Sequence, residues 1–173
     1  MAFARTLPIW VDMDWTNALI AAAWALILGG AGGALTEIGQ WYRDLRKPPW
    51  QPPDWLFGPA WTLILGLAGW SFYIGLEHAP TPEARIGVWA LFAVNFVVHF
   101  AWSPLFFKWR RPDWALGENV FLWLSVLGQM TILPRLVGDS FAGWLNVPYF
   151  IWVSFAFVLN WEIVKRNRPF GTA

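Results

Sequence analysis

The chain has 173 residues, of which 57% are hydrophobic, 13% are charged and sixteen are tryptophan. This composition is typical of a membrane protein and excludes an ordinary soluble domain. The formal net charge of +1 argues against nucleic-acid binding, and the absence of cysteine excludes disulfides, thiolate metal sites and thiolate-ligated haem.

Five apolar runs follow one another along the chain. Each is long enough to cross a hydrocarbon core of about 30 Å as a helix that rises about 1.5 Å per residue. The runs lack the alternation of polar and apolar residues that is typical of membrane barrel strands. We therefore predict an all-α membrane protein, a single domain (residues 1–173) built as a bundle of five transmembrane helices. The predicted spans are residues 15–36, 55–76, 86–107, 114–134 and 140–161.

The first connection, residues 37–54, is the only long one and is rich in proline and tryptophan. The other connections are short, so consecutive helices should be antiparallel neighbours. Gly29 and Gly33 have the spacing that lets two membrane helices approach closely, which favours a contact within the bundle over a dimer interface. In the third span, Pro104 cannot donate to the carbonyl of Phe100, which predicts a kink or an exposed carbonyl.

Basic residues are distributed unevenly between the two ends of the predicted bundle, and short loops rich in Lys and Arg face the cytoplasm. One end holds nine of the twelve basic residues, namely Arg43, Arg46, Lys47, Lys108, Arg110, Arg111, Lys165, Arg166 and Arg168. The other end holds Arg5, Arg85 and Arg135. We expect an integral multi-pass protein of the bacterial cell membrane, with the first loop and the C-terminus in the cytoplasm.

Polar and aromatic side chains recur at helical spacing on one face of each of the last three spans. They are Asn95, His99, Trp102 and Phe106 in the third, Glu118, Leu122, Ser125 and Gln129 in the fourth, and Tyr149, Trp152, Ala156 and Asn160 in the fifth. Polar groups inside a membrane tend to face the bundle interior, so these faces predict an aromatic cavity. Alternatively, many of the tryptophans form belts at the membrane interfaces. In that case Asn95 and Asn160 only form hydrogen bonds between helices, each of which contributes about 0.6 kcal/mol to stability.

Groups suited to catalysis or to metal binding are scarce. No nucleophile lies within a known motif, no two carboxylates lie close together in a span, and no phosphate-binding glycine loop follows a strand. With only two histidines, His78 and His99, a multi-histidine metal site cannot be built. We predict no catalytic residue, no metal site and no obligatory cofactor, and we expect Glu118 to lie near the headgroups and stay solvated.

The stretch "GGALTEIGQWYRDLRKPPWQPPDWLFGPAWT", residues 32–62, closely resembles the first-loop signature of the translocator protein / tryptophan-rich sensory protein family, once called the peripheral benzodiazepine receptor family. The later stretches "AWSPLFF", "RRPDWALGENVFLWL" and "VPYFIWVSFAFVLNWEIVKRNRP" resemble further motifs of the same family, in the same order. The resemblance covers almost everything from Gly29 to Pro169.

The resemblance implies a five-helix membrane protein, usually a homodimer, that binds tetrapyrroles such as protoporphyrin IX and haem in a pocket among its helices. The first loop would act as a lid, stiffened by its prolines, and Trp41, Trp50, Trp55 and Trp61 would offer flat faces to a flat macrocycle. Carried over position by position, the ligand-binding residues are Trp50, Trp55, His99, Trp102, Tyr149, Trp152, Ala156 and Leu159. Trp41, Asn95 and Trp123 are further candidates.

The chain departs from the family pattern at three places. The family usually has Asn where this chain has His99, which either tunes the site toward a metalloporphyrin or a propionate or exchanges one hydrogen-bonding residue for another; we favour the second interpretation. A Tyr that follows "GPAWT" in many members is missing. The cholesterol-recognition pattern near the C-terminus has Trp161 in place of Tyr, so sterol binding is not expected.

We therefore predict a membrane-embedded tetrapyrrole-binding sensor or transporter that regulates porphyrin metabolism and stress responses. Its expected partners are the porphyrin ligand, the lipid bilayer and a second copy of the chain. Two alternatives stay open. One is an enzyme that degrades porphyrin in light through neighbouring indole rings, and the other is a scaffold that docks a partner through the small-residue face around Gly29 and Gly33.

Overall fold

The computed structural model describes residues 14–170, which form helices and connecting turns without any strand. Five segments are long and apolar enough to cross a membrane, which confirms the predicted all-α fold with five transmembrane helices. They are Trp15–Leu35, Asp54–His78, Pro82–Lys108, Pro112–Val137 and Ser140–Asn167. Arg5, which we assigned to the less basic end, lies outside the described residues.

Eight α-helices build these segments and the first loop within residues 14–170. They are α1 (Trp15–Leu35), α2 (Gln40–Asp44), α3 (Phe57–His78), α4 (Pro82–Ser103), α5 (Pro112–Thr131), α6 (Leu133–Val137), α7 (Ser140–Trp144) and α8 (Val147–Asn167). A 3-10 turn, Asp54–Leu56, leads into α3. Because α6 continues the direction of α5 and α7 leads into α8, each of the last two spans is interrupted once.

Helix ends are set by capping residues and not by the limits of the apolar runs. The carboxylate of Asp14 accepts the N–H of Thr16 at 2.9 Å where α1 begins, and the hydroxyl of Thr81 accepts the N–H of Ala84 at 3.2 Å where α4 begins. Charged residues lie within helices between the cap and the apolar run, and this is why α4 begins at Pro82 and not at residue 86. The helices are therefore longer than the predicted spans.

Pro104 disturbs the third span without ending it. A π-helical turn, Pro104–Lys108, follows α4, and the N–H of Trp109 donates to the carbonyl of Pro104 at 2.9 Å. A π turn adds a residue to the helical repeat, so the side chains after it are rotated relative to those of α4. Within this turn, Phe106 and Phe107 are buried.

The spanning helices surround a common interior. α1 packs against α3 and α4, α5 packs against α4 and α8, and α3 contacts α8. α1 and α3 approach closely at Gly69, where a Cβ atom would lie 3.1 Å from the Cβ of Ala25 and 3.3 Å from the carbonyl oxygen of Ala21. This is the kind of contact that we expected at Gly29 and Gly33. A Cβ at Gly33 would instead meet no atom within 4 Å.

Two clusters of buried side chains make up the core. The larger one joins α1, α3, α4, α5 and α8, and at its centre the rings of Phe72 and Phe92 stack with centroids 4.3 Å apart. The smaller one lies under the first loop and consists of Tyr42, Phe106, Phe107, Ala115, Leu159 and Ile163. Members of both clusters line one cavity, so the packing of the whole bundle determines its shape.

Candidate ligand-binding cavity

A cavity of about 450 Å³ lies among the five spanning segments, at the end of the bundle that carries the first loop. This volume falls within the range of about 300–1,000 Å³ that is usual for small-molecule and cofactor sites. Most of the lining is apolar. The aromatic lining residues are Tyr42, Phe57, Trp61, Trp102, Phe106, Phe107 and Trp152.

The α1 side of the cavity is formed by glycines. Gly29, Gly32 and Gly33 line it, and a Cβ atom at Gly32 or Gly33 would meet nothing within 4 Å. Gly32 and Gly33 therefore leave room for a ligand, whereas a Cβ at Gly29 would lie 3.7 Å from Leu65 Cδ1 of α3, a contact within the bundle as its spacing suggested.

Several residues that were predicted to bind ligand lie together on the cavity lining. They are His99, Trp102, Trp152, Ala156 and Leu159. Tyr149 is fully buried behind His99, and its hydroxyl oxygen lies 2.6 Å from His99 Nδ1. Asn95 lies one step further from the cavity, with Oδ1 3.4 Å from the same hydroxyl. Residues three or four positions apart share a helix face, so spacing grouped His99 with Trp102 and Trp152 with Ala156, whereas Leu159 was predicted from the family resemblance.

Trp50 and Trp55, which were also predicted to bind ligand, do not line the cavity. The ring of Trp50 packs edge-on against Phe155 at 5.7 Å, and Phe155 packs against Trp152 at 5.5 Å, so Trp50 lies one ring behind the lining. Trp55 is 71% exposed. It lies two residues before Phe57, and residues two apart on a helical turn do not face the same side. Phe57 therefore takes the inward position.

The further candidates Trp41 and Trp123 also lie off the cavity lining. Trp41 contacts Phe106 edge-on at 5.9 Å and borders a second pocket, of about 360 Å³, beside α2. Trp123 donates from Nε1 to Ser154 Oγ at 2.9 Å, across the contact between α5 and α8. Trp123 therefore joins two helices.

Sequence reasoning gave Trp61 only as part of the lid and omitted Phe57 and Asn119, although all three line the cavity. The ring centroid of Trp61 lies 4.9 Å from that of His99 and 6.1 Å from that of Trp152. The available signal was the spacing of Phe57 and Trp61, which puts both on one face at the start of α3.

Three lining residues carry a buried hydrogen-bond donor that has no acceptor among the described residues. These donors are Trp102 Nε1, Trp152 Nε1 and Asn119 Nδ2, each covered by neighbouring side chains. A buried polar group without a partner costs roughly 1–3 kcal/mol, so a ligand that pairs with these donors would recover part of that cost. The lining therefore suits a ligand that supplies acceptor oxygens.

Hydrogen bonds among residues of the lid, which is the first loop, stabilise its conformation next to the cavity. The hydroxyl of Tyr42 donates to Asp54 Oδ1 at 3.0 Å and accepts from Gln51 Nε2 at 3.2 Å. Burial, and then the hydrogen bond to the Asp54 carboxylate, raise the pKa of Tyr42 to about 12. Lys47 Nζ lies 3.4 Å from the centroid of the Tyr42 ring, and burial there lowers the pKa of Lys47.

The lid is also attached to the C-terminal end of α8. The side chain of Asn167 accepts from the backbone N–H of Arg46 at 2.8 Å and donates to the backbone carbonyl of Arg46 at 3.0 Å. One amide thus satisfies both backbone groups of a loop residue. The lid is therefore attached to α8 as well as being hydrogen-bonded internally.

Polar residues at the opposite end of the bundle form a separate network. Arg85 donates to Asn17 Oδ1 at 2.7 Å, and Asn17 donates to Glu77 Oε1 at 2.6 Å. None of these three residues lines the cavity. They join α1, α3 and α4 at the end away from the lid.

The whole cavity lies inside a stretch that matches known proteins, since the TspO/MBR family pattern matches residues 18–166. The chain belongs to the TspO/MBR family. This confirms the resemblance found in the first loop and later motifs, and it identifies an integral membrane protein.

Relatives within the family are similar over most of their length. The tryptophan-rich protein TspO of Chlorobaculum tepidum is 37% identical over 145 residues, which are 82% of this chain and 90% of that protein. The tryptophan-rich sensory protein of Cereibacter sphaeroides is 34% identical over 161 residues, 92% of this chain and 98% of that protein. The translocator protein of Bos taurus is 32% identical over 148 residues, 82% of this chain and 85% of that protein.

Proposed function

We propose that the protein binds a tetrapyrrole, protoporphyrin IX or haem, in the cavity and acts as a membrane sensor or transporter in porphyrin metabolism and stress response. One observation carries the proposal: aromatic rings line a cavity of about 450 Å³ under an ordered lid. A flat apolar macrocycle gains most from a site of this kind, because burial of apolar surface and ring contacts both favour it.

The polar groups of the cavity support the same ligand class. A porphyrin with propionate side chains brings carboxylate oxygens, which accept hydrogen bonds. The donors of Trp102, Trp152 and Asn119 have no acceptor among the described residues. The ligand would satisfy donors that the protein leaves unpaired, at a site that is otherwise apolar.

The proposal is tested by adding protoporphyrin IX in the dark to detergent-purified protein and following tryptophan fluorescence and the porphyrin absorption band. We expect saturable one-site binding. Replacing Trp61 and Trp152 by Ala should weaken it at least ~10-fold, since each aromatic contact contributes about 0.5–1.5 kcal/mol beyond area burial. The control is Trp144→Ala, because Trp144 is 69% exposed and does not line the cavity.

Absence of saturable binding would contradict the proposed function. If the Trp61 and Trp152 double variant binds protoporphyrin IX as tightly as the wild type does, the binding site does not lie in this cavity. A parallel variant with Trp50 and Trp55 replaced by Ala should lose less affinity, because neither ring lines the cavity.

One observation favours a second function, the degradation of porphyrin in light. Three indole rings, those of Trp61, Trp102 and Trp152, line the cavity and would lie next to a photoexcited macrocycle. An absorbing product that accumulates beyond one equivalent in light, and not in the dark, would support an enzyme. A product that stops at one equivalent would mean that the bound porphyrin damages only its own site.

We further propose that the protein lies in a bacterial cell membrane with the lid and the C-terminus in the cytoplasm. The hydrogen bonds between Arg46 and Asn167 hold the lid and the end of α8 at the same end of the bundle. Lys108 ends the π-helical turn, and Lys165 lies in the last turn of α8. The excess of basic residues at this end supports a cytoplasmic position.

A further inference from the structure

His99, at the position where the family usually has Asn, lies on the cavity lining with its ring held on two sides. The ring of Trp61 stands edge-on to it, with centroids 4.9 Å apart and planes at 83°. The ring of Tyr149 lies on another side, with centroids 5.9 Å apart. The imidazole is therefore packed in one orientation at the cavity.

A chain of hydrogen bonds behind His99 favours the tautomer in which Nδ1 carries the proton. Ser125 Oγ donates its only proton to the carbonyl of Leu122 at 2.7 Å, so it accepts from Asn95 Nδ2 at 2.8 Å. Asn95 Oδ1 is then left for Tyr149, whose hydroxyl donates to it at 3.4 Å. With that proton used, the oxygen of Tyr149 accepts from His99 Nδ1–H at 2.6 Å.

The other ring nitrogen of His99, Nε2, consequently carries a lone pair. It has no hydrogen-bond partner among residues 14–170, and His99 borders the cavity. An imidazole whose Nδ1–H is held by a neighbour and whose Nε2 is free is in the form that ligates metal ions.

His99 has no companions with which to hold a free metal ion. The described residues contain no group of three His, Cys, Asp or Glu side chains that could do so. A single imidazole therefore needs a metal that brings its other ligands with it. A metalloporphyrin meets this condition, because the pyrrole nitrogens occupy the equatorial positions and leave an axial one for histidine.

We propose that His99 Nε2 is the axial ligand of the metal in a metalloporphyrin bound in the cavity. The inference rests on the proposed function and narrows it to the iron form of the ligand. Coordination forms one nitrogen–metal bond in place of an axial water, and the Nδ1 proton stays hydrogen-bonded to Tyr149. This reverses our interpretation of the sequence, in which His99 only replaced one hydrogen-bonding residue by another.

The test compares ferric protoporphyrin IX with metal-free protoporphyrin IX, each added in the dark to the full-length protein without a histidine tag. The readouts are the absorption bands, the electron paramagnetic resonance spectrum of the ferric complex and the iron–histidine vibration of the ferrous complex. We expect the spectra of a histidine-ligated haem and a higher affinity for the iron form.

The decisive variant is His99→Asn, which keeps a hydrogen-bonding side chain of similar size. It should lose the histidine signature, and its affinity for ferric porphyrin should fall at least ~10-fold more than its affinity for metal-free porphyrin. The matched control is His78→Asn, because His78 is exposed at the other end of the bundle, 3.1 Å from Asp139. It should leave all spectra unchanged.

Two more variants keep the test independent of folding. His99→Gly should regain a nitrogen-ligated spectrum when imidazole is added, and Tyr149→Phe should keep the ligand but shift the iron–histidine vibration. If metal-free porphyrin binds and the ferric spectra of the wild type and His99→Asn are identical, axial ligation is overturned and the proposed function stands. If the wild type binds neither porphyrin, both are overturned.

Discussion

Single residues inside the bundle include a carboxylate in an unexpected place. We expected Glu118 to be solvated near the headgroups, yet both of its carboxylate oxygens are buried without a hydrogen-bond partner among the described residues. The hydrogen bond from Asn95 to Ser125 sets the alignment of α4 against the antiparallel α5. Trp102 follows Asn95 by seven residues and Glu118 precedes Ser125 by seven, so both lie about two helical turns along from that bond. Trp102 Nε1, on the cavity lining, also lacks a partner among the described residues.

At the same scale, Tyr42 predicts how the lid responds to alkaline pH. Its pKa is raised from 10.0 to about 12. Because the folded pKa is the higher one, the stabilisation is complete below pH about 10 and is lost as the pH rises through about 12. The tyrosinate absorbance should therefore show a step with a midpoint near 12 that is missing in Tyr42→Phe.

Asp54→Asn provides the control for this titration, because it keeps the burial of Tyr42 and removes the carboxylate that accepts its proton. Its midpoint should be lower than that of the wild type. A wild-type midpoint near 10 for Tyr42 would mean that the lid does not bury this residue in solution.

At the scale of elements, the glycines of α1 show that a sequence pattern predicts a helix contact without showing which glycine makes it. Glycines at helical spacing indicate a close helix contact, but that contact with α3 involves Gly69 of the partner helix, and Gly33 opens onto the cavity. The π-helical turn after α4 has a comparable effect, since it places Phe106 and Phe107 on the lining. The residues that an element contributes to the cavity lining therefore depend on the neighbouring helices against which it packs.

The element-scale prediction concerns Gly33→Leu. Gly33 lines the cavity, so a leucine there would extend into it and should reduce protoporphyrin affinity at least ~10-fold by taking the ligand's place. Gly30→Leu is the matched control, since Gly30 is exposed, does not line the cavity and also has free space around its Cβ. The measurement is the dark titration with protoporphyrin IX.

The two variants also separate the proposed function from a scaffold. If Gly33→Leu binds porphyrin as the wild type does and yet loses its effect in cells, the scaffold alternative gains support. Loss of binding in both variants would show that any leucine in this part of α1 disturbs the fold.

The whole molecule has two chemically different ends. One carries the lid, attached to α8 through Asn167, and the other carries the network of Asn17, Glu77 and Arg85. This polarity is consistent with a fixed orientation in the membrane. The homodimer expected from the family resemblance stays a prediction.

Orientation can be measured directly, because the chain has no cysteine of its own. Single variants Gln40→Cys, in the lid, and Pro80→Cys, between α3 and α4, both place a thiol at an exposed position. In intact cells a membrane-impermeant maleimide should label Pro80→Cys and spare Gln40→Cys, and both should react after the membrane is broken. Labelling of Gln40→Cys alone in intact cells would invert the proposed orientation.

The sequence by itself determined the five transmembrane helices, because hydropathy and length are local properties of the chain. It also determined which residues share a face along each helix, such as His99 and Trp102 on α4, both of which line the cavity. Only the tertiary structure decided that Trp61 and Phe57 line the cavity while Trp50 and Trp55 do not, and that a directed hydrogen-bond chain frees Nε2 of His99. The physical reason is that the rotation of one helix against another, and the path of a loop across them, depend on contacts between residues far apart in the chain.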